Sequence, residues 1–314
     1  QPYPYFFHLL SGKVKEIFRL SDDKLILIGA VPDVITGLAA YFILRNYFET
    51  VTSLIALALF LTTPYLVYQS VFGPRSLGLL MYTSSLLALI MPFPLNAFSI
   101  LFISLTALTH KLSLQTLFFI VLLYGFFFDA IGILYFILGF LLAIIISRMK
   151  YLRVFRFHLS YLKLMMTKSQ YRYPNREYLA FIEVPYATIV PLWLAFSIAR
   201  GMHVYNSIPC LNQLIGRFLL MWGAATFTLV FLWRWGDSHR YVSFSSLPLA
   251  MLFSDASISN DLLRLLLPIF LSGNVILSLY ITRRNTLITE NFLQAVKFLS
   301  EILEDGFLCL EEYY

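Results

Sequence analysis

The sequence predicts an all-α, polytopic membrane protein with about ten membrane segments, and three observations predict it. Of the 314 residues, 59% are hydrophobic. Only 13% are charged, against about 25% in an ordinary soluble domain, and the mean hydropathy is +0.77. The apolar residues fall in runs approaching the ~20 residues that cross a bilayer core of ~30 Å, not in the short alternating segments of a membrane β-barrel. These figures argue against a soluble enzyme, a disordered chain and a nucleic-acid-binding domain.

The elements follow in order. Apolar runs lie at about 25–44, 51–71, 77–92, 95–109, 114–130, 131–147, 178–199, 212–233, 241–254 and 262–282. Pro92 and Pro94 break the stretch 77–109, and Asp129, with Gly125 and Gly132 nearby, interrupts 114–147. Each is either a tight pair of short helices or holds a kinked or re-entrant piece, which needs protein or a wet cavity around it. Residues 148–176 carry Arg148, Lys150, Arg153, Arg156, Lys163, Lys168, Arg172 and Arg176 and no acid. Interleaved with Tyr151, Phe155, Phe157, Tyr161 and Leu164, they read as a basic helix lying in the headgroup plane. Beyond Arg284 acids prevail, and Phe292, Val296, Leu299 and Leu303 keep helical spacing. Asp305-Gly306 signals a turn, and Phe307–Leu310 reads as a strand. Residues 285–314 are therefore the expected start of a small α/β tail domain. The chain opens on Gln1 and ends just after that strand, so it reads as a piece of a longer protein.

The net charge of +6 fits basic loops facing anionic headgroups. With ten crossings and the basic loop inside, Lys13, Lys15, Arg75, Lys111, Arg234, Arg240, Arg283 and Arg284 also fall inside. Arg45, Arg200, Arg217 and Arg264 then lie near outer ends. Cys210 and Cys309 are too few for a disulfide framework or a metal cluster.

No P-loop, dinucleotide glycine fingerprint, H-E-x-x-H, C-x-x-C or G-x-S-x-G is present. What remains is polar groups at or near membrane depth, where they are costly. Asp33, Asp129 and Glu183 lie within or between apolar runs. Four polar clusters mark the edges of runs: residues 1–23, with Tyr3, Pro4, Tyr5, His8, Asp22 and Asp23; Gly73–Gly78, with Arg75; Thr109-His110-Lys111; and Trp235–Tyr241, with Asp237, His239 and Arg240. Arg75, Lys111 and Arg240 are fixed cations that suit a phosphate or pyrophosphate at a lipid headgroup. His8, His110 and His239 suit proton transfer or a sugar hydroxyl. The plain alternative is interfacial anchoring, routine for Arg, Lys, Tyr and Trp at helix ends.

The order of these clusters resembles a family. An aromatic loop with Tyr-Pro and His is followed by Pro74-Arg75-Ser76-Leu77-Gly78 opening a helix and Leu108-Thr109-His110-Lys111 closing one. Gly236-Asp237-Ser238-His239-Arg240-Tyr241 then precedes a helix with Leu247-Pro248. This resembles the GT-C superfamily of integral-membrane glycosyltransferases, most nearly its poorly characterised prokaryotic members. Those read PR-x-LG, LTH and G-x-x-x-RY…P at similar places.

The resemblance implies a multi-pass protein of the prokaryotic plasma membrane. Its donor would be a sugar on a polyprenyl phosphate or diphosphate, and its acceptor a lipid, glycan or protein. Membrane lipids would be partners, and nucleic acid would not. The expected phosphate and substrate residues are His8, Arg75, His110, Lys111, Asp237, His239, Arg240 and Tyr241. Asp22 and Asp23 are the weaker acid/base or metal candidates, with the principal acid expected upstream of Gln1. A divalent metal is a candidate cofactor.

The implied division is 1–24, an extracytoplasmic or interfacial segment; 25–147, a first transmembrane bundle; 148–176, the basic interfacial loop; 177–284, a second bundle; and 285–314, the tail domain. The resemblance puts 1–24 outside, whereas ten crossings put it inside. A single kinked crossing plus a re-entrant piece at 114–147 reconciles the two and is the expectation adopted. Two rival functions stand beside the transferase. A secondary transporter or lipid-linked-glycan flippase predicts inverted repeats, and a non-catalytic membrane subunit predicts no clustering of Arg75, Lys111 and Arg240.

Overall fold

The computed structural model describes residues 6–19, 30–64, 73–167, 184, 186–200, 208–232 and 238–302. Among the described residues there are twelve α-helices and no strand, so the chain is all-α. The expected strand at Phe307–Leu310 and Glu183 lie outside the described residues.

The first half is a run of helical hairpins. A short helix, α1 (Phe6–Phe18), precedes α2 (Val31–Leu44). Helix α2 starts with Pro32 in its first turn, where the missing N–H costs nothing. It ends in the tight turn Arg45–Tyr47, and α3 (Thr50–Leu61) returns. The pair is close because Gly37 has no Cβ; one placed there would lie 2.7 Å from Leu57 Cδ1. Helix α4 (Gly73–Leu89) opens on Gly73-Pro74-Arg75 and packs on α2.

Pro92, Pro94 and a 3-10 turn at Leu95–Ala97 then reverse the chain into α5 (Phe98–Thr109). A single extended residue, His110, joins α5 to α6 (Lys111–Phe127). Phe128–Ala130 make the next turn, with Asp129 Oδ1 accepting the Ile131 N–H at 2.9 Å, and α7 (Ile131–Ile146) follows. Gly125 faces Ile133 and Gly132 faces Tyr124, so α6 and α7 are antiparallel neighbours. Gly139 of α7 meets Ile100 and Ile103 of α5, and Ala143 clusters with Ala107 and Leu108. Helices α5 and α7 therefore run parallel, with α6 between them in sequence.

At 114–147, where a single kinked crossing plus a re-entrant piece was expected, the chain forms two antiparallel helices. A helix-breaking Phe128-Asp129-Ala130 turn makes two full helices there. Six helices, α2 to α7, then separate residue 30 from residue 147, and both lie at the same end of the bundle. After α7 the chain turns sharply. Arg148 and Met149 have φ of 49° and 66°, a left-handed pair that costs about 1–2 kcal/mol per residue. Helix α8 (Lys150–Thr167) leaves at 118° to α7, across the end of the bundle, its first turn capped by Ser147 Oγ on the Tyr151 N–H.

The second half packs around one buried helix. Helix α9 (Tyr186–Ala199) contains Pro191, and a 3-10 turn at Pro209–Asn212 precedes α10 (Leu214–Leu232). A 3-10 helix, Ser238–Ser245, runs into α11 (Ser246–Ser259), and α12 (Asp261–Ile302) closes the described chain. Helix α11 is buried on nearly every side, and α3, α9, α10 and α12 pack around it. Its Ser and Ala residues let those neighbours approach. An aromatic centre joins the halves. Tyr82 of α4 packs edge-on against Phe244 at 4.8 Å and Trp222 at 5.7 Å, and Trp222 Nε1 donates to Phe244 O at 2.8 Å.

The outer walls of α2, α6, α7 and α12 are apolar and exposed at Phe42, Phe118, Leu134, Ile137, Ile269 and Leu279. Among the described residues, Asp261–Tyr280 of α12 alone qualifies by length and composition as a single membrane span, and Ile131–Ile146 with Lys150–Ser160 qualifies as a bent pair. Helix α12 is continuous through the expected 284/285 boundary.

Candidate functional site

The sequence motifs gather at one end of the bundle, where α2, α4, α6 and α11 begin and α3, α5, α7 and α10 finish. Asp33 stands in the first turn of α2 and is 6% exposed. Its Oδ2 accepts the Ser76 hydroxyl at 2.9 Å, while its buried Oδ1 has no partner among the described residues. Ser76 follows Arg75, half-buried in the first turn of α4. Two residues on, Gly78 is a point of close approach. A Cβ there would lie 2.5 Å from His110 Cβ and 2.7 Å from Ser113 Oγ. The bare backbone of α4 lets the α5–α6 joint pack against it.

His110 ends one helix and starts the next. Its extended backbone makes it the N-cap of α6, and its Nδ1 lies 2.9 Å from Ser113 Oγ and accepts from the Ser113 N–H at 3.3 Å. Burial and these bonds make His110 a structural cap at the site. Lys111 follows, half-buried, with Nζ 5.6 Å from the ring centroid of Phe157 on α8. One turn on, the Gln115 amide nitrogen lies 2.7 Å from His158 Nε2, and the Tyr241 hydroxyl donates to Gln115 Oε1 at 3.4 Å. One polar chain thus ties α8, α6 and the Ser238–Ser245 helix together. Burial, and then the nearby Lys111 charge, push His158 down to about 4. A neutral ring with a lone pair on Nε2 suits an amide N–H pointing at it.

A cavity of about 380 Å³ opens beside this chain, between α6, α7 and α8. Its walls are apolar, with Leu114, Phe118, Phe119, Phe136, Phe140 and Val154 among them, and Lys111, Gln115 and His158 stand at one end. Phe6 of α1 packs against the cluster of Ala107, Leu108, Tyr151 and Val154, so α1 is anchored at this end as well. Arg148, Lys150, Arg153, Arg156 and Lys163 of α8 are exposed there. The opposite end mixes signs: Arg45, Glu49, Asp129 and the pair Arg264–Asp261 at 3.3 Å.

Of the expected residues, Arg75, His110, Lys111 and Tyr241 come to this end. Asp22, Asp23 and Asp237 lie outside the described residues, as do the side chains of His8, His239 and Arg240; the backbone of His239 and Arg240 belongs to the Ser238–Ser245 helix that carries Tyr241. Asp129 is exposed in its turn, at the other end. Sequence reasoning passed over Gln115, Ser113 and His158. A lone glutamine beginning an apolar run, and the one histidine of the basic segment, were signals for two of them.

Among the described residues no three His, Cys, Asp or Glu side chains converge on a metal position. Asp33 and Ser76 supply one carboxylate and one hydroxyl, short of the shell that Mg²⁺ or Ca²⁺ takes.

No family model matches the chain, and neither does any curated protein or solved structure.

Proposed function

We propose that the chain is the membrane-embedded part of a glycosyltransferase, multi-pass in a prokaryotic plasma membrane. It transfers a sugar from a polyprenyl-phosphate carrier to a lipid, glycan or protein acceptor. The observation that carries this reading is the meeting of three distant segments, at 73–78, 109–113 and 238–241, at one end of the bundle. Gly78 and His110 form one joint of that meeting and Gln115 and Tyr241 the other.

Arg75 and Lys111 bring positive charge to that end, where a departing phosphate needs stabilisation that strengthens as its charge develops. His110 and Asp33 are positioning residues. His110 caps α6 and so aims Lys111, and Asp33 fixes the α2–α4 joint beside Arg75. The acid/base role stays with Asp22 and Asp23 in this reading. Multi-pass embedding is supported by the exposed apolar walls of the short helices and by the span-length α12.

The test is turnover of polyprenyl-phosphate-linked sugar by the full-length protein in liposomes. Arg75→Ala and Lys111→Ala are each expected to lower turnover at least tenfold, about 1.4 kcal/mol of transition-state stabilisation. Turnover indifferent to both changes overturns the phosphate assignment. Movement of intact lipid-linked sugar between leaflets without transfer identifies the flippase instead.

A further inference from the structure

We propose that the cavity between α6, α7 and α8 holds one hydrocarbon chain of a phosphate-bearing membrane lipid, with the phosphate at Lys111. The inference rests on membrane embedding and not on glycosyl transfer.

Four observations carry it. First, the walls are apolar, and an apolar cavity is dry and selects apolar matter. Second, of the four polar residues in the lining, Lys111, Gln115 and His158 group around the Gln115–His158 contact, while the fourth, Tyr151, stands two turns earlier on α8 with its ring against Phe140 and Phe155. The occupant therefore has one polar end and an apolar body. Third, two of the lining residues, Phe118 at 45% and Leu159 at 49%, are exposed at the surface of the molecule. The adjoining wall of α6 and α7 is apolar and exposed at Leu122, Leu134 and Leu138, so the approach is from lipid tails and not from water. Fourth, the fixed cation at the polar end is Lys111. His158 is held neutral beside it, so the occupant's charge balance is set by an ammonium, and Arg153 and Arg156 extend positive charge over the outer face of α8. An anionic head is the complement. The volume stands at the low end of the ~300–1,000 Å³ typical of small-molecule pockets, enough for one chain and not a pair. A phosphate ester with its chain inserted fits, and an ammonium-capped zwitterionic head fits less well.

The test measures binding to the full-length protein in detergent by native mass spectrometry, with three probes. Lysophosphatidic acid offers one chain and a phosphate, lysophosphatidylcholine one chain and a zwitterionic head, and inorganic phosphate no chain. Lysophosphatidic acid is expected to bind about tenfold tighter than lysophosphatidylcholine, and inorganic phosphate is expected not to displace it. Lys111→Gln is expected to abolish that tenfold preference while keeping the chain-dependent binding. Val154→Trp, which fills the cavity, is expected to weaken both lipids at least tenfold. Leu159→Trp, at a half-exposed lining position, gives the same reading with less risk to folding.

Equal lysophosphatidic acid binding by both tryptophan variants and the parent overturns the proposal. Full displacement by inorganic phosphate also overturns it, leaving a phosphate site without a chain. No sugar enters this experiment, so its failure removes Lys111 from the phosphate assignment but leaves the transferase reading to the turnover of Arg75→Ala, and loss of the transferase reading leaves this one standing.

Discussion

At the scale of single residues, the site depends on what is missing from Gly78 as much as on what is present. A methyl group there meets His110 Cβ at 2.5 Å and Ser113 Oγ at 2.7 Å, both held by the capping bonds of His110. Gly78→Ala is therefore expected to destabilise the protein by about 1–3 kcal/mol through overpacking. Gly273 of α12 has nothing within 4 Å of the same position, so Gly273→Ala is expected to stabilise by about 0.5–1 kcal/mol. Denaturation of the two variants side by side checks both signs. His158 gives a pH prediction. Its pKa is about 4 in the folded protein, and the unfolded value is near 6.5. Between these values the unfolded chain binds the extra proton, so stability falls as pH drops from about 6.5 to about 4. Protonation would set an N–H against the Gln115 amide N–H, and turning the amide would release Tyr241. A Tm profile from pH 7 to pH 4 should slope in that window, and His158→Asn should flatten it; identical slopes refute the assignment. The place of Arg75 and Lys111 in first turns of helices was legible in the sequence, because both stand at ends of apolar runs. The Gln115–His158 pair was not. It joins residues 43 positions apart through the turn at Arg148-Met149, and two positive-φ non-glycine residues leave no signal in sequence.

At the scale of elements, apolar run length decided the helices and turn residues decided their number. The proline pair at 92 and 94 was read correctly as an interruption between runs, and α4 and α5 flank it. At Asp129 the sequence allows a tight pair of short helices or a kinked crossing with a re-entrant piece, and the second is the expectation adopted only because it puts residues 1–24 outside. The structure ends the helix there all the same. Asp129 Oδ1 caps the Ile131 N–H, and Gly125 and Gly132 let α6 and α7 close on each other within one turn of the bend. Seams of this kind differ in how they tolerate added volume. At Gly125 the obstacle is the Ile133 side chain at 2.5 Å, which can rotate away. At Gly139 the obstacle includes the Ile100 carbonyl oxygen at 2.8 Å, and a backbone oxygen moves only if α5 and α7 separate. Gly139→Ala is thus expected to cost about 3 kcal/mol and Gly125→Ala about 1 kcal/mol, the two ends of the usual overpacking range. Unfolding by denaturant in a fixed detergent measures the difference; equal costs would mean that the α5–α7 seam is as yielding as the hairpin.

At the scale of the whole molecule, charge and topology meet in one question. Six helices between residues 30 and 147 place α1, α8, Arg75 and Lys111 at one end, with Asn46, Asp129 and Arg264 at the other. The all-α class was legible from long apolar runs in a chain that is 59% hydrophobic, and among the described residues those runs are helices. Which compartment each end faces was not, because two readings of the same residues conflict. Basic loops tend to stay in the cytoplasm, which would put α8 and the site inside. The glycosyltransferase resemblance puts the segment before α2 outside, and the fold makes α8 go with it. Under the proposed function the basic residues of α8 are then explained by carrier phosphates rather than by topology. Single cysteines at Lys13, Arg156, Asn46 and Asp129, in a variant with Cys309 replaced, separate the cases. An impermeant maleimide applied to intact cells should react with positions 13 and 156 together, and with 46 and 129 only after permeabilisation. Reaction of 13 and 156 from opposite sides overturns the hairpin order of α2 to α7. Reaction of 46 and 129 from outside instead keeps that order, returns the basic helix to the cytoplasmic leaflet, and puts residues 1–24 inside, against the glycosyltransferase expectation.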